Sequence, residues 1–177
     1  MKKVILGLIF LATVCSAKNL VAVETRLVVR VKSKDAKFVG TSMGGALVII
    51  KNSESGEIIT KGFTRGGTGN TAKIMKEPIK RGARLSDDST AKFEAHLDLD
   101  EPILVTIEAY APYAQRQSMV RSSTQAWLIP GKDIVGDGVI LEVAGFAVDV
   151  LLPQTHERIK LRKNKATIPI KANIVMM

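Results

Sequence analysis

The chain has one cysteine, two histidines and aromatic side chains at only 5% of its 177 positions. The cysteine, Cys15, lies in the N-terminal leader, so a chain cleaved after Ala17 carries no thiol. That excludes disulfides, even in an oxidising compartment where they are allowed. His96 and His156 are the only imidazoles, too few soft ligands for a structural zinc site. The shortage of aromatics removes the stacking platforms that single-stranded nucleic acid uses, so nucleic acid is not an expected partner. No cofactor fingerprint is found either, and no cofactor is expected. A membrane-spanning helix needs about 20 apolar residues. Residues 143–152 are interrupted by Asp149 and the last residues by Lys171 and Asn173.

What is present begins with an export signal. Lys2 and Lys3 precede an uncharged apolar run at 4–14, and Cys15-Ser16-Ala17 supplies small side chains for a peptidase. Residues 1–17 read as a cleavable signal peptide, and the chain is expected to be exported, periplasmic or extracellular. Cys15 is also a position for lipid attachment. A lipobox would place Leu three residues before it and a small residue immediately before it. Those places hold Ala12 and Val14, so cleavage after Ala17 is expected ahead of lipid anchoring at Cys15. Lys and Arg number 26 against 17 acidic residues, a net charge of +9. Such a surface is drawn to anionic partners, an envelope polymer or a lipid surface; another envelope protein is a further candidate partner.

From Glu24 onward the hydrophobic period is 2. Leu27, Val29 and Val31 alternate with Val28, Arg30 and Lys32; Ala91, Phe93, Ala95 and Leu97 with Lys92, Glu94 and His96. Further strand-length runs lie at 46–50, 57–64, 103–109, 117–129, 139–143, 146–152, 159–161 and 166–177. Roughly ten strands with frequent turn signals and no amphipathic helix predict an all-β fold, a sandwich or a barrel. Alternation predicts one core face and one water face per strand. The expected organisation is an Ig-like or transthyretin-like antiparallel β-sandwich over 18–153. A C-terminal β-hairpin at 154–177 is expected to pack on the same domain, since so short a segment holds no core of its own. Residues 65–89, rich in glycine and cations, are expected to be a long loop tacked down by Ile74, Met75 and Ile79.

Gly45-Ala-Leu-Val-Ile-Ile-Lys51 followed by Ser55-Gly-Glu-Ile-Ile-Thr-Lys-Gly62 resembles the strand-turn-strand opening of transthyretin-like domains. That group includes the carboxypeptidase-regulatory-like β-sandwiches. Residues 91–93 and 102–109 resemble the next strands, so the likeness covers about 25–112. The resemblance implies a non-catalytic accessory, adhesive or transport-related module. It carries over no functional residue. The 65–89 segment stands where that family has a short glycine turn.

Gly40-Thr-Ser42-Met-Gly44 matches a nucleophile elbow, which needs its Ser on a strand-to-helix turn beside a His and an acid. A β run follows instead, so the expectation is a glycine-rich connection. Gly66-Gly67-Thr68-Gly69 lacks the Gly-Lys-Ser/Thr ending of a phosphate loop. Asp87 and Asp88, then Asp98, Asp100 and Glu101, then Asp133 and Asp137 are acidic groups without calcium-loop spacing. Trp127, beside Leu128 and Ile129, is expected in the core, although with Tyr110 and Tyr113 it also suggests a sugar-stacking platform. The candidate binding residues are two basic groups: Arg158, Lys160, Arg162, Lys163 and Lys165, and Lys76, Lys80, Arg81 and Arg84. The first alternates with Ile159 and Leu161, which on a strand puts its cations on one face.

These features predict a non-enzymatic binding or accessory module at the cell envelope. An alternative is a structural subunit that self-associates by strand exchange through 166–177. A third is an esterase-like hydrolase using Ser42.

Overall fold

A computed structural model describes residues 21–177; the leader, Cys15 and the cleavage site lie outside the described residues. The strands are β1 (Val23–Ser33), β2 (Leu47–Asn52), β3 (Ile58–Phe63), β4 (Phe93–Leu99) and β5 (Ile103–Ala111). They continue with β6 (Val120–Leu128), β7 (Ile134–Val143), β8 (Phe146–Leu152) and β9 (Lys171–Met176). One sheet runs β4-β1-β7 and a second runs β3-β2-β5-β6. Their facing sides bury Leu27, Val29, Val31, Leu97 and Leu141 against Val48, Ile50, Val105, Ile107 and Leu128. The molecule is an all-β sandwich, as the period of 2 predicts. Among the described residues, no helix is long and apolar enough to cross a membrane.

Local chemistry explains the strand ends. Asn52 closes the β2–β3 turn by accepting the amides of Glu54 at 2.8 Å and Ser55 at 3.1 Å, the usual role of Asn in a turn. β1 pairs antiparallel with β4 but parallel with β7. The β1–β7 register shifts between Leu27 and Val29. Gly138, at φ 66°, fits there because a Cβ would come within 2.2 Å of the Val28 carbonyl oxygen. This bulge hides the first half of β7 from periodicity, so sequence places the strand at 139–143 rather than at Ile134–Val143.

The water face expected for β1 is covered at Val28 and Arg30, while Glu24 and Arg26 remain exposed. Arg30 bonds to carbonyls of Ala91, Asp87 and Gly136, in residues 85–92 and the start of β7. Alternation reports which residues share a face; it does not report what a distant loop lays over that face. Trp127 corrects the core expectation. It stands opposite Leu104 on the outer face of the larger sheet and is 59% exposed, while its neighbour Leu128 is buried. The register of β6 gives the core position to Leu128.

β8 and β9 form a separate two-stranded ribbon. Its root joins the body through buried Ala147 and Met177, and through Met177 N–H donating to the Gly145 carbonyl at 3.0 Å. The Ser118 hydroxyl donates to the Val148 carbonyl at 2.6 Å, and the Val150 amide donates to Gln117 Oε1 at 3.0 Å. Those contacts cover the free edge of β8. The last strand therefore pairs with β8, and the C-terminal hairpin begins at Phe146 rather than at residue 154. Residues 159–161 join no ladder. Pro169 has no N–H to donate, and regular pairing resumes only at Lys171.

Candidate functional site

Between the ribbon strands, residues 153–170 make an arm. Its tip is a tight reversal in which Arg162 and Lys165 exchange backbone hydrogen bonds at 2.8 and 3.0 Å. Lys163 and Asn164 both have positive φ, 50° and 59°, the geometry of a two-residue hairpin turn. The tip brings together Arg162, Lys163 and Lys165, with Arg158 and Lys160 along the outgoing limb. None of these cations forms an ion pair with a described residue, and all are exposed. Ile159, Leu161, Ile168 and Ile170 are exposed with them.

The second basic group lies on the 65–92 connection. Lys76 ends a short π-type turn, Ala72–Lys76, whose Ile74 is buried. Met75 and Ile79, expected to tack the loop down, are exposed. Lys80 and Arg84 border a shallow groove of about 250 Å³ with Ile79 and Leu85. Arg81 sits in the exposed turn between them. Arg84 reaches Asp88 at 3.0 Å; so exposed a pair adds little stability. Among the described residues no hydrogen bond or ion pair joins this group to the arm.

Arg26, Arg30, Asp87, Asp133 and Asp137 hold parts of the body together. Arg30 is 1% exposed and donates to the carbonyls of Thr90, Ala91, Asp87 and Gly136. Burial lowers its pKa from the usual arginine range, partly countered by the charges of Asp137, Asp87 and Asp88. Asp137 accepts the Ser86 hydroxyl at 2.5 Å and the amides of Leu85 and Ser86 at 2.9 and 2.8 Å. Burial alone would raise its pKa; those bonds and Arg30 outweigh it and hold the carboxyl below its ordinary value. Asp87 accepts from Ser89 and Thr90, which lowers its pKa to about 2. Asp133 pairs with Arg26 at 2.7 Å. These carboxylates are loop braces, and among the described residues no group of acidic, His or Cys side chains converges as a metal site.

Sequence reasoning did not single out Glu108. It is 4% exposed on the outer face of β5, with Lys51 at 3.0 Å, Arg121 at 2.7 Å and the Tyr110 hydroxyl at 3.1 Å. Burial would raise its pKa, but hydrogen bonds from Lys51 and Tyr110 and the charges of Lys51 and Arg121 leave it lowered. Its place on an exposed-face register was readable; its cover of flanking cations was not.

The serine motif forms a single 3-10 turn, Thr41–Met43, leading into β2 rather than a helix. His96 lies on β4 against Glu24 at 2.6 Å, and His156 lies in the arm. No hydrogen bond links Ser42 to either among the described residues. The 66–69 glycines are stitching: Gly66 accepts from the Thr41 amide at 3.0 Å, and Gly67 exchanges bonds with Ser89 and Ala91 at 2.8 Å. Tyr113 packs edge-on to Phe63 at 5.0 Å beside that turn, and Trp127 stands on the same sheet's outer face.

Comparison with protein-family models, curated proteins and solved structures finds no match to this chain.

Proposed function

We propose that the chain is an exported, non-enzymatic β-sandwich that binds an anionic surface of the cell envelope through the 153–170 arm. The observation that carries this reading is a cluster of exposed cations, at the tip and outgoing limb of the arm, that pair with no described residue. In the body, Arg26 and Arg30 are engaged with a carboxylate or with loop carbonyls, whereas the cations of the arm face water. The transthyretin-like resemblance over 25–112 supports the same non-catalytic reading. The test is binding to soluble polyglutamate and to phosphatidylglycerol vesicles. Changing Arg158, Lys160, Arg162, Lys163 and Lys165 together to Glu is expected to weaken binding by at least about a hundredfold, at roughly 1 kcal/mol per cation. Unchanged binding in that variant, or loss only on changing Lys76, Lys80, Arg81 and Arg84, would contradict the assignment to the arm.

One observation favours a second reading, a subunit joined by strand exchange. β9 is the outer strand of its ribbon, with Ile174 and Met176 exposed, and an open apolar edge is a template for another strand. Light scattering over a wide concentration range tests it. A chain that is monomeric throughout argues against assembly by this edge.

A further inference from the structure

We infer that the arm's partner is an anionic lipid bilayer, with Ile159, Leu161, Ile168 and Ile170 seated at the headgroup–acyl boundary. This rests on the anionic-surface reading above and goes further by choosing lipid over a soluble polymer. A polyanion needs only the cations and leaves the apolar side chains in water. Ile159 is 49% exposed, Leu161 68%, Ile168 40% and Ile170 80%. Apolar surface gathered in this way marks an interaction site.

The Arg162–Lys165 pair joins the two limbs of the arm at its tip, with Ile159 and Leu161 on the outgoing limb and Ile168 and Ile170 on the returning one. Along the outgoing limb the exposed apolar side chains are interleaved with Arg158, Lys160 and Arg162. The ribbon below carries an exposed apolar face of its own, with Phe146 paired to Met176 and Val148 to Ile174.

Charge complementarity selects the occupant. Residues 156–171 contain Arg158, Lys160, Arg162, Lys163, Lys165 and Lys171 against Glu157 alone. Anionic headgroups match that excess, each cation near such a surface adding about fivefold in affinity. A second copy's arm presents the same charges and repels it, as like charges do across paired strands. Cations at alternate positions up to the tip keep the arm on the surface; a crossing strand must close its hydrogen bonds in a barrel. The arm therefore lies in the interface, as amphipathic anchors do.

The experiment compares residues 18–177 with the Leu161→Ser/Ile170→Ser variant, which keeps every charge. Ligands are phosphatidylcholine vesicles, the same vesicles with phosphatidylglycerol, and soluble polyglutamate, with a thermal melt of each protein alongside. The expected result is binding to the phosphatidylglycerol vesicles that falls by at least about tenfold in the variant, with polyglutamate binding and melting unchanged. Equal vesicle binding by both proteins would overturn the lipid assignment and leave the anionic-surface reading standing. Binding to neither vesicles nor polyglutamate would overturn both. Concentration-dependent assembly without lipid, abolished in the variant, would assign the arm's apolar side chains to a second copy and overturn the inference.

Discussion

Leu27 and Leu161 have the same side chain in the same kind of alternating sequence, and they end in opposite environments. Leu27 is fully buried between two sheets, whereas Leu161 is 68% exposed on the arm. In the body, the apolar face of β1 meets the other sheet, and charges such as Arg30 and Asp137 brace loops. In the arm, the same pattern meets nothing. A period of 2 specifies a two-faced strand; whether its apolar face is core or interface depends on what the chain can fold against it.

That contrast can be broken most severely in the body. Leu27→Ala or Ile107→Ala, at fully buried positions, is expected to cost about 2–5 kcal/mol in urea unfolding. Leu161→Ala is expected to stay within about 0.5 kcal/mol of the parent. Equal costs at the two sites would mean that the arm belongs to the core. Next comes Arg30→Ala, which strips the guanidinium from the Thr90 and Ala91 carbonyls. A loss of about 3 kcal/mol is expected, each abandoned buried acceptor costing roughly 1–3 kcal/mol. The same unfolding curve checks it.

Asp137→Asn sharpens the contrast through pH. The folded carboxyl is held below its ordinary value, so its stabilisation is fully present above the unfolded pKa, about 3.9. It is lost as pH falls through the lower folded value. The variant should melt below the parent at neutral pH, and the gap should close in acid. A gap that persists or widens in acid would contradict the assigned bonds. The smallest effect is expected from replacing 153–170 by Asn-Gly, a turn that suits a two-residue hairpin. Leu152 and Lys171 already face each other across the ribbon. A shift in melting temperature of no more than about 4 °C is expected; unfolding would show that the arm supports the body.

Most of the sandwich was legible in the sequence because its strands are half-buried and alternate cleanly. Leu27, Val29 and Val31, and later Val105 and Ile107, face the core as their spacing requires. Misplacements came where long-range contacts override the local pattern. Arg30 reads as a water-facing cation until residues 87–91 and 136 close over it. Trp127 reads as core by hydrophobicity, yet its register across from Leu104 turns it outward. Residues 159–161 have a strand's alternation but no partner strand. The cations of the candidate site were identifiable by composition. Their grouping at a tip was not, because it depends on the left-handed turn at Lys163 and Asn164.

The most direct test of the central claim is amide hydrogen exchange of residues 18–177 with and without phosphatidylglycerol vesicles. Slower exchange confined to residues 157–170, with the two sheets unchanged, is the predicted result. Protection on β3-β2-β5-β6 instead, with the arm unchanged, would contradict the claim and move the binding surface to the face that carries Trp127.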